Sequence, residues 1–352
     1  MSTNESVSNL TPITKPQGHP AAQSERIGVC LINLGTPDAT DYWSMRKYLS
    51  EFLSDTRVIN LPKILWQPIL QGIILSIRPS KSGKAYQSIW NNEQNESPLK
   101  TITRAQCEKV STMLGAELNN VEVTWAMRYG NPSIKSGIDE LTAKGCKKIL
   151  LFALYPQYSA TTTATAFDKA FDHLKTLRWQ PAIRTSSPWH DRDEYITALA
   201  NKVKAHLSTL DFEPEYVLTS FHGLPKKYLM KGDPYHCMCV KNSRLLQEKL
   251  GWPEDKWLTT FQSRFGPAEW LKPYTEPTLV ELAEKGIKNI AILSPAFVSD
   301  CIETLEEIAI EGKSTFLEHG GENFSYIPCL NDDAEHVDML CTYIKQELQG
   351  WI

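Results

Sequence analysis

Residues 281–290, ELAEKGIKNI, echo residues 140–149, ELTAKGCKKI, at a spacing of 141 residues. The same spacing persists downstream, where Asp191 corresponds to Asp332, Glu194 to Glu335 and Lys204 to Lys345. Upstream, Arg128-Tyr129-Gly130 resembles Arg264-Phe265-Gly266, and Leu34-Gly35-Thr36-Pro37 resembles His222-Gly223-Leu224-Pro225. The chain is one design written twice. Each copy carries four short apolar runs rich in β-branched and aromatic residues. In the first they are IGVCLINLG, VEVTWAMRY, KILLFALYPQ and PAIRTSSPW; in the second, YVLTSFHG, WLTTFQSRF, NIAILSPAF and FSYIPCL. Amphipathic stretches such as PSIKSGIDELTAKG and EPTLVELAEKG separate them. Apolar runs bounded by Gly and Pro and joined by helical patterns read as buried parallel strands with crossover helices, so each half is expected to be a small doubly wound α/β unit.

Length agrees with two domains, because 352 residues exceed the ~250 to 300 at which a single core usually divides. The expected division is a disordered polar tail over 1–26, a first domain over 27–190 and a second over 191–352 that includes the C-terminal helix. A formal charge of −4 and a pI near 6.1, with dispersed lysines and arginines, argue against a nucleic-acid partner. There is no run of 18 apolar residues, and the N-terminus has no apolar core like that of a secretion signal, so a cytoplasmic protein is expected. The eight cysteines are scattered and are expected to be reduced thiols; Cys237 and Cys239 lie too close for a zinc knuckle.

In doubly wound sheets, ligands bind beyond the carboxyl ends of the strands, and there the two copies differ. Where the first copy has Leu34, the second has His222; where the first has Ser159 to Thr162, the second has Asp300 to Glu303. Arg128, Tyr155 and Arg264 also fall at or just past strand ends. A histidine between a buried strand and a Gly-Pro turn has its imidazole pinned by backbone, which suits a base or ligand and equally a structural hydrogen-bonder. Asp300, Glu303, Glu307 and Glu311, at i, i+3, i+7 and i+11, would stack four carboxylates on one α-helical face. That face reads either as a solvated acidic surface or as a path.

The first half also holds about 50 residues that the second lacks. Within them Val58 to Ile77, VINLPKILWQPILQGIILSI, is apolar but interrupted by Pro62, Pro68 and Gly72. It is either a pair of core helices or an exposed apolar lip for a flat ligand or a membrane surface. Its prolines favour a bent lip.

The motifs INLGTP, MRYG, LYPQYS, SFHGLP, GDPY, FQSRFGPAEWLKPYT and SDCIETLEE occur in that order. Together they resemble the ferrochelatases, in particular the short bacterial form, from about Ile27 to the C-terminus. The resemblance implies two Rossmann-like (chelatase-like) domains flanking an active-site cleft. It implies a lyase of heme biosynthesis that inserts ferrous iron into protoporphyrin IX, with Fe2+ as substrate and no permanently bound cofactor. His222 and Glu303 would be the catalytic pair and iron ligands, and Asp300, Glu307 and Glu311 a metal path. Leu34, Arg78, Tyr86, Arg128, Tyr129, Tyr155, Trp189 and Trp270 would surround the macrocycle. Three features depart from the family pattern. Cys301 stands where some members have His. Ala160 stands where some have a cluster-binding Cys, and the chain ends at Ile352 without the further cysteines, so no iron-sulfur cluster is expected. The loop Trp90 to Glu96 is longer and less glycine-rich than usual.

The residue types suit the reaction. A free-base porphyrin must buckle and lose two N–H protons before a metal enters, and an imidazole beside a carboxylate can accept protons while coordinating ferrous iron. Arg128 could pair with a propionate or cap its own strand. A chelatase for coproporphyrin or sirohydrochlorin shares this chemistry, although the eight carboxylates of sirohydrochlorin call for a basic pocket. A non-enzymatic two-lobed binding protein would normally be exported. The lip leaves room for peripheral contact with the inner face of the membrane, and the sequence fixes no oligomeric state.

Overall fold

The repeated segments adopt the same local structure. The helices Ile134–Ala143 and Thr275–Glu284 end alike, with the Lys144 N–H donating to the Glu140 carbonyl (3.0 Å) and the Lys285 N–H to the Glu281 carbonyl (3.1 Å). The next residue, Gly145 or Gly286, takes a left-handed conformation (φ 87° and 89°) that glycine adopts without strain, and the chain turns into a strand. Even the surface ion pairs recur, Glu140 with Lys144 (2.7 Å) and Glu281 with Lys285 (2.6 Å).

The computed structural model describes residues 25–352. Most of the expected tail, residues 1–24, lies outside the described residues, and the first strand begins at Arg26. The strands are β1 (Arg26–Thr36), β2 (Val121–Gly130), β3 (Cys146–Ala153), β4 (Ala182–Thr185), β5 (Tyr216–His222), β6 (Trp257–Gln262), β7 (Asn289–Leu293) and β8 (Asn323–Tyr326). They form two parallel four-stranded sheets, β2-β1-β3-β4 and β6-β5-β7-β8. The orders superimpose strand for strand. Leu34 near the end of β1 and His222 at the end of β5 therefore hold corresponding places on the central strands.

Alternation along β1 explains how both faces are covered. Ile27, Val29 and Leu31 face a core that also takes in Val217, Ala291 and Leu293 of the second sheet, with side chains from the helices Pro98–Glu117, Asp193–Leu207 and Ala334–Glu347. Cys30 and Ile32 point the other way, into an outer core with the helices Ile134–Ala143 and Thr165–Leu174. The second sheet builds its own outer core with Thr275–Glu284 and Lys313–Glu318. Hydrophobic runs without polar alternation are what sheets buried on both sides require.

The added length of the first half lies between β1 and β2, where residues 37–120 answer to only 223–256 in the second half. The stretch read as either core or lip is both. It folds as the helix Lys63–Ile69, a wider i→i+5 turn over Leu70–Ile74, and the helix Leu75–Ile89. Leu70 and Leu75 are fully buried, and Ile74 packs against the same cluster. On the opposite side Ile64 (83 % exposed), Leu65, Ile69, Ile73 (59 %) and Ile77 (70 %) form an open apolar stripe. Replacing Ile73 and Ile77 together by Ser is expected to leave the thermal unfolding midpoint within about 2 °C of wild type. Leu70→Ser should lower stability by several kcal/mol through a lost contact and a buried hydroxyl, typically ~2 to 5 kcal/mol for such core changes. Equal destabilisation by the two would contradict the division of the segment into a buried and an open face.

Candidate active site at the strand ends of the second half

β5 ends in His222, and the chain leaves it through Gly223. A Cβ at Gly223 would lie 2.6 Å from the Gln262 carbonyl oxygen and 3.1 Å from the Trp270 ring, so glycine lets β6 and Trp270 approach closely. Trp270 lies beside the histidine, with ring centroids 6.5 Å apart. The His222 Nδ1 is 2.6 Å from the Gly223 carbonyl oxygen, which can only accept, so Nδ1 carries the proton. Nε2 has no hydrogen-bond partner among the described residues and, in this tautomer, presents a lone pair. The half-buried imidazole is thereby fixed with one basic nitrogen available.

Glu303 is placed by a different device. β7 is followed by a loop and then the short helix Ile302–Thr304, which widens into an i→i+5 helix over Leu305–Gly312 and continues as Lys313–Glu318. Ile302 packs into the apolar cluster of Leu75 and Tyr86 at the root of the lip. On the other side Gln262, the strand neighbour of His222, donates from Nε2 to the Glu303 carbonyl (2.6 Å) and to the Glu307 carboxylate (3.1 Å). Ser263 has a left-handed backbone (φ 62°), and its N–H (2.6 Å) and hydroxyl (2.5 Å) both donate to Glu307. Burial pushes the Glu307 carboxyl above its ordinary value. The bonds from Ser263 and Gln262 and the charge of His222 oppose that, while Glu303 adds to it. Tyr86 lies near Glu303: burial first and the Glu303 charge second push its phenol up.

The helix differs from the regular one expected from spacing, and the difference matters for two residues. Asp300 is not on its face, because the helix begins two residues later. Asp300 is 6 % exposed, and its oxygens accept from Thr304, Tyr326 and Asn331. Glu306 was missed because five-apart residues lie about 140° apart on an α-helix. In the wider turn Glu306 and Glu311 meet, and burial followed by the Glu311 and Glu307 charges raises the Glu306 carboxyl to about 7.

The structure brings only some of the expected macrocycle residues together. Trp270 lies by His222 and Tyr86 by Glu303, and Leu34 joins the lip-root cluster. Arg78 reaches across the cleft to stack on Phe265, 4.5 Å from the ring centroid. Burial lowers its guanidinium pKa, and it has no carboxylate partner among the described residues. Arg128 and Tyr129 are engaged elsewhere. The Arg128 guanidinium is hydrogen-bonded to Asp55 and Thr165, and the Tyr129 hydroxyl donates to Asp55 (2.9 Å). Burial opposes ionisation of Asp55, yet the hydrogen bonds from Thr165 and the Arg57 N–H, with the Arg128 charge, hold its carboxyl below the usual range. Arg128 therefore neither caps its own strand nor stands free for a propionate. Tyr155 has a buried hydroxyl with no partner among the described residues; burial first and the Tyr129 charge second push its phenol up, against the opposing charge of Arg128. Trp189 does not belong with the group. It is 2 % exposed in the shared core, edge-on to Tyr195 at 4.9 Å, with Nε1 donating to the Ala153 carbonyl (3.2 Å). The loop Trp90 to Glu96 closes on itself through reciprocal backbone bonds between Asn91 and Glu96, and Arg104 is hydrogen-bonded to the Glu96 carboxylate.

Comparison with known proteins covers both halves of this arrangement. The ferrochelatase family model matches residues 26–348. A ferrochelatase of Allorhizobium ampelinum is 59 % identical over 337 residues, covering 96 % of this chain and 98 % of that one. One from Agrobacterium fabrum has the same identity and coverage. Among solved structures, SirB from Bacillus subtilis with Fe3+ shares the fold with a TM-score of 0.53 at 14 % identity, over 72 % of this chain and 92 % of that one. The sirohydrochlorin chelatase SirB of subspecies spizizenii in complex with cobalt gives 0.50 at 9 % identity, over 92 % and 95 %. At such identities the likeness is one of fold, whereas the sequence match carries the lineage. A match that spans both repeats and the helix between β7 and β8 places this chain in the ferrochelatase family.

Proposed function

We propose that the chain inserts ferrous iron into protoporphyrin IX to form protoheme, the lyase reaction that ends heme biosynthesis. The observation that carries this reading is a fixed imidazole with a free Nε2, tied through Gln262 to a helix of carboxylates that packs at the root of an apolar lip. Insertion exchanges one Fe2+ for two pyrrole protons, so the site must hold a metal and remove protons. In this reading the His222 Nε2 takes one pyrrole proton, and Glu303 holds the incoming iron and takes the second proton as the iron passes to the ring nitrogens. Glu307, Glu306 and Glu311 lead outward and relay iron inward and protons outward. Asp300 has no part in that path, because it precedes the helix and is buried, its carboxylate held by Thr304, Tyr326 and Asn331. Iron passes through as a substrate.

Binding follows from the lip. Tyr86 and Trp270 supply rings beside the reacting pair, and Arg78, half-buried without an acid partner among the described residues, suits a propionate. The open stripe of isoleucines covers the macrocycle and makes peripheral contact with lipid, in keeping with the absence of any described helix long and apolar enough to cross a membrane. The Ile73 and Ile77 double serine variant should then bind phospholipid vesicles and porphyrin more weakly while remaining folded. An apolar rim favours protoporphyrin over sirohydrochlorin with its eight carboxylates. No iron-sulfur cluster enters this reading: Ala160 has no thiol, and its N–H donates to Asp233 (2.8 Å).

His222→Ala should fold and bind porphyrin but lose at least ~10²-fold in kcat for zinc or ferrous insertion, the usual cost of a missing general base. Absorbance assays with protoporphyrin check this, and retention of more than about a tenth of the rate would remove His222 from the mechanism. Glu306 gives a separate test through pH. Its folded pKa is about 7 against an ordinary 4.5, so the native state binds its proton more tightly. The resulting stabilisation is complete below the lower value and disappears as pH rises through the upper one. Thermal unfolding midpoints of the wild type should carry a component that falls between about pH 5 and 8, and Glu306→Gln should flatten it. Parallel pH profiles in the two proteins would contradict the placement of Glu306 against Glu311.

A further inference from the structure

Glu303 lies three residues after Asp300, and the intervening turn is held by bonds the reaction does not use. Asn331, in the loop after β8, has a left-handed backbone (φ 50°) that asparagine tolerates better than most residues. Its side chain makes a two-point contact with one partner: Oδ1 accepts from the Asp300 N–H (2.8 Å) and Nδ2 donates to Asp300 Oδ2 (2.6 Å). The remaining oxygen, Asp300 Oδ1, takes hydrogen bonds from the Tyr326 hydroxyl (2.6 Å) and the Thr304 hydroxyl (3.0 Å). Thr304 Oγ1 in turn accepts the Cys301 N–H (3.0 Å). Both ends of the turn that carries Glu303 are thus tied to one carboxylate.

The clamp also reaches the first half. The Asn331 carbonyl accepts from Gln106 Nε2 (2.8 Å), and Gln106 belongs to the helix Pro98–Glu117. The other copy of the fold solves the same problem differently. At position 159, which corresponds to Asp300, a serine caps the helix start, and the nearby carboxylate is Asp233 from the second half, accepting from the Ser159 hydroxyl (3.0 Å) and the Ala160 N–H (2.8 Å). Each helix start is held by a part-buried polar clamp that reaches the opposite half.

We propose that Asn331, acting through Asp300, is a positioning residue that sets the Glu303 carboxylate against His222 and makes that placement depend on docking of the first-half helix. The proposal rests on the reading of Glu303 as a reacting group. Asn331 touches neither substrate nor metal. Its removal should therefore cost turnover and leave porphyrin affinity alone. Asn331→Asp keeps the backbone preference and the acceptor but sets an oxygen against Asp300 Oδ2; Asn331→Gly keeps the backbone and deletes both bonds.

The test measures kcat, KM for protoporphyrin and porphyrin binding by fluorescence for both variants, with rates expressed per porphyrin-binding site so that loss of folded protein does not count. The expected result is a kcat at least tenfold below wild type with KM and binding within twofold. A kcat within twofold of wild type would overturn the proposal. Should either Asn331 variant fail to fold, Thr304 carries the same test: Thr304→Val is expected to lose kcat at least fivefold while Thr304→Ser keeps it, and equal rates in the two would overturn the clamp. Glu303→Gln, measured in parallel, reports on the underlying reading separately. If Glu303→Gln stays active the reading of the site is wrong, whereas an inactive Glu303→Gln beside a fully active Asn331→Gly disproves only the clamp.

Discussion

The site depends on the tie between the end of β6 and the helix that follows β7. Gln262 is the strand neighbour of His222, and its amide donates to the carbonyl of Glu303 and the carboxylate of Glu307. One side chain thus fixes the distance between the histidine-bearing strand and the acid-bearing helix. Hydrogen bonds to a charged acceptor are typically worth ~1.5 to 3 kcal/mol, and at Glu307 they oppose a burial that still raises the carboxyl above its ordinary value. Ser263 completes the arrangement by turning its N–H toward Glu307, at the expense of a left-handed backbone in a residue that has a Cβ. Strain of this kind persists where the surroundings over-determine it, and it often lies beside functional groups.

Duplication explains why such a site can exist on one wall only. Both halves have the same strand order and present a central strand end to the cleft. The first half has filled its end with apolar groups, Leu34 packing with the lip root, while its charged groups Arg128 and Asp55 neutralise one another beside Tyr129. The second half has kept the imidazole and the carboxylates. The inserted lip adds from the first half what the second lacks, an exposed apolar stripe rooted in the cluster that also anchors Ile302.

Much of this was legible in the sequence, because it rests on periodicity and on strand ends. The repeat, the buried parallel strands, the glycines at Gly145 and Gly286 and the exceptional position of His222 follow from local pattern. The failures have physical causes. An α-helical spacing rule put Asp300 on the acidic face and overlooked Glu306, since nothing in the sequence announces that the helix starts late and then widens. Arg128 looked free because Asp55, its partner, is 73 residues away in sequence. Trp189 looked like a ring for the macrocycle because an aromatic residue just past a strand end gives no sign that a shared core will cover it. Ser263 and Asn331 adopt left-handed backbones that glycine would have signalled and their own types do not.

The most direct measurement is a single-turnover experiment on Glu303→Gln with protoporphyrin and ferrous or zinc ion, followed by porphyrin fluorescence and metalloporphyrin absorbance. Gln keeps the shape of the side chain but can neither accept a proton nor neutralise a cation. The account predicts porphyrin binding within about twofold of wild type and metalloporphyrin formation slowed by at least ~10²-fold. Formation of metalloporphyrin at the wild-type rate would contradict it.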